Sequence, residues 1–105
     1  MSRHKIASNE YPSVPVYIYI ILVEDKGDVG RFLRGRFEGA TVFPTLGFWK
    51  GIEEESLAIM ILSPKKRDED IHTLLHAMRV KGRQVSVISA KMLGEALWDG
   101  SGTIG

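Results

Sequence analysis

A ferredoxin-like α+β fold, βαββαβ with a four-stranded antiparallel sheet and two helices on one face, is the class this sequence predicts. Three observations predict it. The segments come in the order strand, helix, strand, strand, helix, strand, which is the split βαβ arrangement. The first and third strand segments are apolar on both faces, as central strands are. The second carries Pro44, which cannot donate to a ladder and so belongs at an edge.

Residues 1–13 are polar, with Pro12 and Pro15 bracketing the exit, and read as a tail ahead of one domain over 14–98. The run from Val14 to Glu24 is rich in β-branched and tyrosyl residues and reads as a strand. Val16, Ile18, Ile20 and Leu22 alternate with Tyr17, Tyr19, Ile21 and Val23, so both of its faces need cover. A helix is expected from Asp25 to Glu38, capped by Asp25 or Asp28 and ended by Gly39. Val29, Phe32, Leu33 and Phe37 form its apolar stripe, weakened by Gly30 and Gly35 at about 1 kcal/mol each.

The second strand is expected over Ala40–Trp49 and the third over Glu54–Leu62, joined by a short turn. Between 63 and 82, Ile71, Leu74, Leu75 and Met78 keep i, i+3, i+4, i+7 spacing, with acids in the first turn and Gly82 beyond the end. Val85 and Val87 alternate within Arg83–Ser89, read as the fourth strand. Ala90–Trp98 fits a short helix or a returning strand equally. Residues 99–105 are glycine-rich and read as a second tail.

The chain has 105 residues, a formal net charge of +1 and no cysteine. One core is available, and disulfide and thiolate chemistry are excluded. Lys65-Lys66-Arg67 is offset by Asp68-Glu69-Asp70, so the lopsided charge of a nucleic-acid binder is missing. The apolar run Val14–Val23 is too short for a membrane span, and the first residues lack the apolar stretch of a signal peptide. A cytoplasmic protein without nucleic-acid or membrane partners is expected. Two helices cover one face of the sheet, so the face of the first strand bearing Tyr17, Tyr19, Ile21 and Val23 is expected to be open. A second copy of the chain would cover it, which predicts a homo-oligomer.

Chemistry-bearing residues concentrate between Gly39 and Leu62. Phe43, Phe48 and Trp49 provide aromatic surface, and Glu53-Glu54-Glu55-Ser56 opens the apolar third strand. Alternation directs Glu54 with Ser56, Ala58 and Met60, and Glu55 with Leu57 and Ile59. Carboxylates near aromatics at a strand entrance suit a flat, cationic small molecule, although each acid alone fits a solvated turn. Trp49 and Trp98 fit core or site equally. His72 and His76 stand at i, i+4, with no third metal ligand in view, and fit a solvated helix face. No nucleophile elbow, G-x-G-x-x-G or P-loop is present, and Gly35, Gly39 and Gly47 are read as turn residues.

Gly47-Phe48-Trp49-Lys50, the Glu53-Glu54-Glu55-Ser56 strand opening and the Arg83–Ile88 segment containing Gln84, Val85 and Ser86 together resemble the phage S-adenosylmethionine (SAM) lyases, formerly called SAM hydrolases. The resemblance runs over scattered positions from Gly39 to Trp98. The turn between Trp49 and Glu53 is shorter here than the family pattern, which leaves the substrate aromatic open between Trp49 and Phe43. The resemblance implies a trimer with SAM bound between subunits. It also implies a lyase that releases 5′-methylthioadenosine and homoserine lactone and depletes host SAM against restriction. SAM would be the substrate, with no cofactor and no metal. The active-site glutamate maps onto Glu54, with Glu53 one register away, and Trp49, Phe43, Phe48, Gln84 and Ser86 would be substrate-binding. Two other classes fit the same residues: a non-catalytic trimeric module holding an adenine nucleotide or SAM, and an interaction protein using the open sheet face.

Overall fold

The computed structural model describes residues 13–97 and 99. The expected tails lie outside these residues except for Ser13 and Asp99, as does Trp98.

Four strands, β1 (Ser13–Glu24), β2 (Thr41–Trp49), β3 (Ile52–Ser63) and β4 (Ile88–Leu97), form one antiparallel sheet in the order β2-β3-β1-β4. The helices are α1 (Gly30–Leu33) and α2 (Asp68–Val80). The chain thus has the expected βαββαβ ferredoxin-like topology, with β1 and β3 central and the Pro44 strand at an edge.

The core lies between the sheet and the helices. Tyr19, Ile21 and Val23 of β1 and Leu57, Ile59 and Ile61 of β3 meet Phe32 of α1 and Ile71, Leu74, Ala77 and Met78 of α2. Each large side chain so buried contributes roughly 1.5–3 kcal/mol. The face of β1 bearing Tyr19, Ile21 and Val23 is therefore the covered one, contrary to the expectation. The open face carries Ile18, Ile20 and Leu22 beside Leu62, Met60 and Ala58 of β3. Alternation defines two apolar faces but not which one the helices take. The Tyr19 hydroxyl helps fix that choice by reaching the start of α2, where it donates to Asp68 Oδ1 (2.8 Å) and accepts the Arg67 N–H (2.7 Å).

The first helix is far shorter than Asp25–Glu38. Asp25 is not its cap: its carboxylate accepts the Gly27 N–H (2.9 Å) in a local turn. Arg34 leaves the helical region (φ −62°, ψ 133°), and Gly35 at φ 77° completes a turn in which the Arg36 N–H donates to the Leu33 carbonyl (3.2 Å). The apolar stripe survives the loss of helix, since Val29, Leu33 and Phe37 still pack against the core. Arg67 holds the segment after α1 in place, donating to the Arg36 carbonyl (3.1 Å) and stacking on Phe37 (4.8 Å to the ring centre).

The fourth strand is also displaced. Residues 83–87 form a loop and β4 begins at Ile88, so Ala90 onward is strand. Arg83 turns the chain at φ 58°, and Val85 is almost fully exposed instead of facing a sheet neighbour.

Candidate functional site

The β2–β3 hairpin turns through Lys50 and Gly51, both at positive φ (50° and 79°), as a two-residue hairpin of matching twist requires. This tight turn fixes the register: Gly47 lies opposite Glu54 and Trp49 opposite Ile52. Glu54, Ser56 and Trp49 therefore share the open face, as does Glu24, which pairs with Ser56.

At this end of the sheet a cleft of about 390 Å³ opens between the hairpin and the loop before β4. It brings together Phe48, Trp49, Glu54, Gln84 and Ser86 of the expected site residues. Phe43 and Glu53 lie outside it. Phe43 is opposite Ala58, farther along the sheet, and Glu53 is opposite Phe48 with the other side-chain parity.

Gly47 is a strand residue, not the turn residue expected. A Cβ there would stand 2.6 Å from Ser56 Oγ and 3.5 Å from Glu54 Cγ. Its missing side chain leaves the space above these two groups open. Phe48 and Trp49 are about two-thirds exposed, at 67% and 65%; Trp49 presents apolar area for a planar ligand on the face of Glu54, whereas Phe48, opposite Glu53, has the other side-chain parity. Lys50 Nζ lies 5.9 Å from the Trp49 ring centre, at the outer limit of a cation–π contact.

Gln84 is held by backbone. Its carboxamide accepts the Glu24 N–H (3.2 Å) and donates to the Glu24 carbonyl (2.9 Å). The side chain thus occupies the place of a strand partner at the end of β1, two residues beyond the Leu22–Ile88 pair. This is why 83–87 need not be strand. It also sets the rim of the cleft, with Val85 and Ser86 following.

The cleft lining contains two carboxylates, Glu24 and Glu54, and no Lys or Arg among the described residues. Glu54 is exposed and makes no hydrogen bond or ion pair among them. The place of Glu24 in this cleft, and of Gly47 as a strand residue opposite Glu54, was not evident from the sequence. An antiparallel pairing of the first and third strands would have brought Glu24 beside Ser56.

Elsewhere, His72 and His76 are exposed on α2. Among the described residues no three His, Cys, Asp or Glu side chains cluster as a metal site requires. No helix of these residues is long and apolar enough to cross a membrane.

No family model and no curated protein matches the sequence. Among solved structures, the chain is similar to CPII, a nitrogen regulatory PII-like protein from Thiomonas intermedia K12. The apo form aligns with a TM-score of 0.61 at 15% identity, over 85% of this chain and 99% of that one. The form bound to ADP, AMP and bicarbonate aligns with a TM-score of 0.57 at 16% identity, over 80% and 94%. The form bound to ADP and bicarbonate gives 0.56 at 15% identity, over 80% and 90%. At these identities the likeness is one of fold: this chain is built on the same ferredoxin-like frame as the PII-like proteins.

Proposed function

We propose that this chain is a homo-oligomeric binding module that holds an adenosyl ligand, an adenine nucleotide or SAM, in the Trp49–Glu54 cleft. The observation that carries the reading is the cleft itself: exposed aromatic area at Trp49 on the same face as a carboxylate, with room kept by Gly47. The fold shared with CPII, which was solved with ADP and AMP, supports an adenine ligand. Adenine stacks on the aromatic surface, a contribution of roughly 1–3 kcal/mol per base. Glu54 accepts hydrogen bonds from ribose hydroxyls or an amine.

Calorimetric titration with AMP, ADP, ATP and SAM tests the reading. Saturable binding of at least one ligand is expected, weakened about tenfold or more by Trp49→Ala, in keeping with that stacking energy. No binding by any of the four would overturn it.

A second reading, SAM lyase, is favoured by the charge of the cleft. Two carboxylates without a lysine or arginine oppose a polyphosphate and suit a sulfonium cation with an ammonium group. In the reaction the substrate's carboxylate oxygen would attack its own γ-carbon. The C–S bond would break with its electrons passing to sulfur, leaving neutral methylthioadenosine and homoserine lactone. The chain needs to supply only a folded substrate conformation, a proximity effect, with Glu54 orienting the amine or ribose. NMR of SAM incubated with the protein separates the readings. Lactone that appears before homoserine, and is lost in Glu54→Gln, supports lyase activity. Intact SAM leaves the binding module alone standing.

A further inference from the structure

On the other side of the Gln84–Glu24 bridge from the cleft lies a second cavity, about 490 Å³, between the loop after β1 and the loop after α2. Four cations line it, Lys26, Arg31, Lys81 and Arg83, against two acids, Glu24 and Asp28. Its charge is thus opposite in sign to that of the cleft. Its apolar side is core: Val23, Phe32 and Met78 are all buried. The volume falls within the range of small-molecule sites, about 300–1,000 Å³.

Two of the cations are structural. Lys26 donates to the Arg83 carbonyl (2.6 Å), and Arg31 donates to the Lys81 carbonyl (3.2 Å) while paired with Asp28 (3.1 Å). They stitch the two loops together and fix the cavity's mouth. The side chains of Lys81 and Arg83 make no hydrogen bond or ion pair among the described residues. Arg83 holds its place at φ 58°, a conformation costing a non-glycine residue roughly 1 kcal/mol or more. Gly82 lets the loop lie directly on α2, because a Cβ there would collide with the Met78 carbonyl oxygen. A rigid frame therefore presents two uncommitted cations over an apolar floor.

The geometry points to this cavity as a binding site for a small organic anion, with a phosphate or carboxylate on Lys81 and Arg83 and an apolar body against the accessible part of Phe32. Arg and Lys bind such groups by charge-assisted hydrogen bonds, and the apolar floor distinguishes the site from a merely basic surface. The inference does not rest on the reading of the cleft.

The test is an amide NMR titration of the full chain with phenyl phosphate, benzoate and inorganic phosphate, against sodium chloride of equal ionic strength. Saturable shifts centred on Gly27, Gly82 and Arg83 are expected. One aromatic anion should bind more tightly than inorganic phosphate, and the tighter of the two identifies the headgroup. Lys81→Gln/Arg83→Gln should weaken binding by about tenfold or more with its amide spectrum otherwise unchanged. Lys81→Arg should retain it. Shifts no larger than those caused by sodium chloride, shifts spread over the whole surface, or equal affinity in the double variant would overturn the assignment.

Discussion

Asp68 carries more of the contact between helix and sheet than any other polar side chain. It accepts from Tyr19 (2.8 Å) and pairs with Lys91 of β4 (2.9 Å) and with Lys66 (3.6 Å). The Lys91 ammonium, followed by the Tyr19 hydroxyl, holds its carboxyl below the ordinary value. Lys91 is raised in return by Asp68, and burial pushes Tyr19 up. For a carboxyl depressed on folding, the stabilisation is complete above the unfolded value of about 4. It is lost as the pH falls through the folded value. Asp68→Asn should therefore lower Tm by a few degrees at pH 7, with the deficit closing below about pH 4. A deficit of equal size at pH 3 would show that the carboxylate's charge is not the cause. Gly47 makes a second case at this scale. Gly47→Ala should weaken binding of AMP or SAM by forcing Ser56 Oγ aside. Adding Ser56→Ala should recover much of the loss if space is the reason, and calorimetry reads both.

At the scale of elements, legibility followed how much of each segment is decided locally. α2 was plain because Ile71, Leu74 and Met78 are spaced for one face, all three are buried, and acids occupy its first turn. β1, β2 and β3 followed from their composition and from Pro44. The first helix was overread because its apolar stripe has helical spacing, although the backbone leaves the helical region at Arg34 and turns at Gly35. The fourth strand was misplaced because Val85 and Val87 alternate by chance. What sets the strand's start is the non-local bond of Gln84 to Glu24, which no local pattern reveals. In the cleft, strand parity directs Glu54 with Ser56, whereas the sequence leaves Trp49 open between core and site. Glu24 was not legible, since its place depends on the pairing of β1 with β3. The junction after α2 gives the prediction here. Lys81 N–H bonds the Ala77 carbonyl (2.8 Å), and Gly82 then passes against Met78. Gly82→Ala should cost about 1–3 kcal/mol, as overpacking does. That is a fall in Tm of about 4–8 °C per kcal/mol for a domain of this size. An unchanged melting curve would mean the junction yields freely.

For the molecule as a whole, the unresolved balance is the open face of the sheet. Ile18, Ile20, Met60 and Leu62 are only half-buried on it, and Leu22, Phe43, Ile88 and Met92 are exposed around them. The hairpin arm adds Trp49 and Ile52 to this face, while Leu46 and Phe48 are exposed on the opposite one. So much contiguous apolar surface is unusual for a monomer and is characteristic of association. Copies of one chain meeting through it would form a closed symmetric oligomer. Phe43→Glu and Met92→Glu together place charges on positions already exposed in the single chain, so folding should be little affected. Light scattering after gel filtration should show an oligomer for the native chain and a monomer for the double variant. A native chain that elutes as a monomer at micromolar concentration would end the oligomer reading. The same pair of samples bears on the cleft, because Phe43 and Met92 do not line it. If a second copy completes the site, the monomeric variant should lose adenosyl-ligand affinity by about tenfold or more, the loss expected when one stacking or charged contact is removed. If affinity survives dissociation, the walls supplied by Trp49, Glu54 and Gln84 within one chain are sufficient.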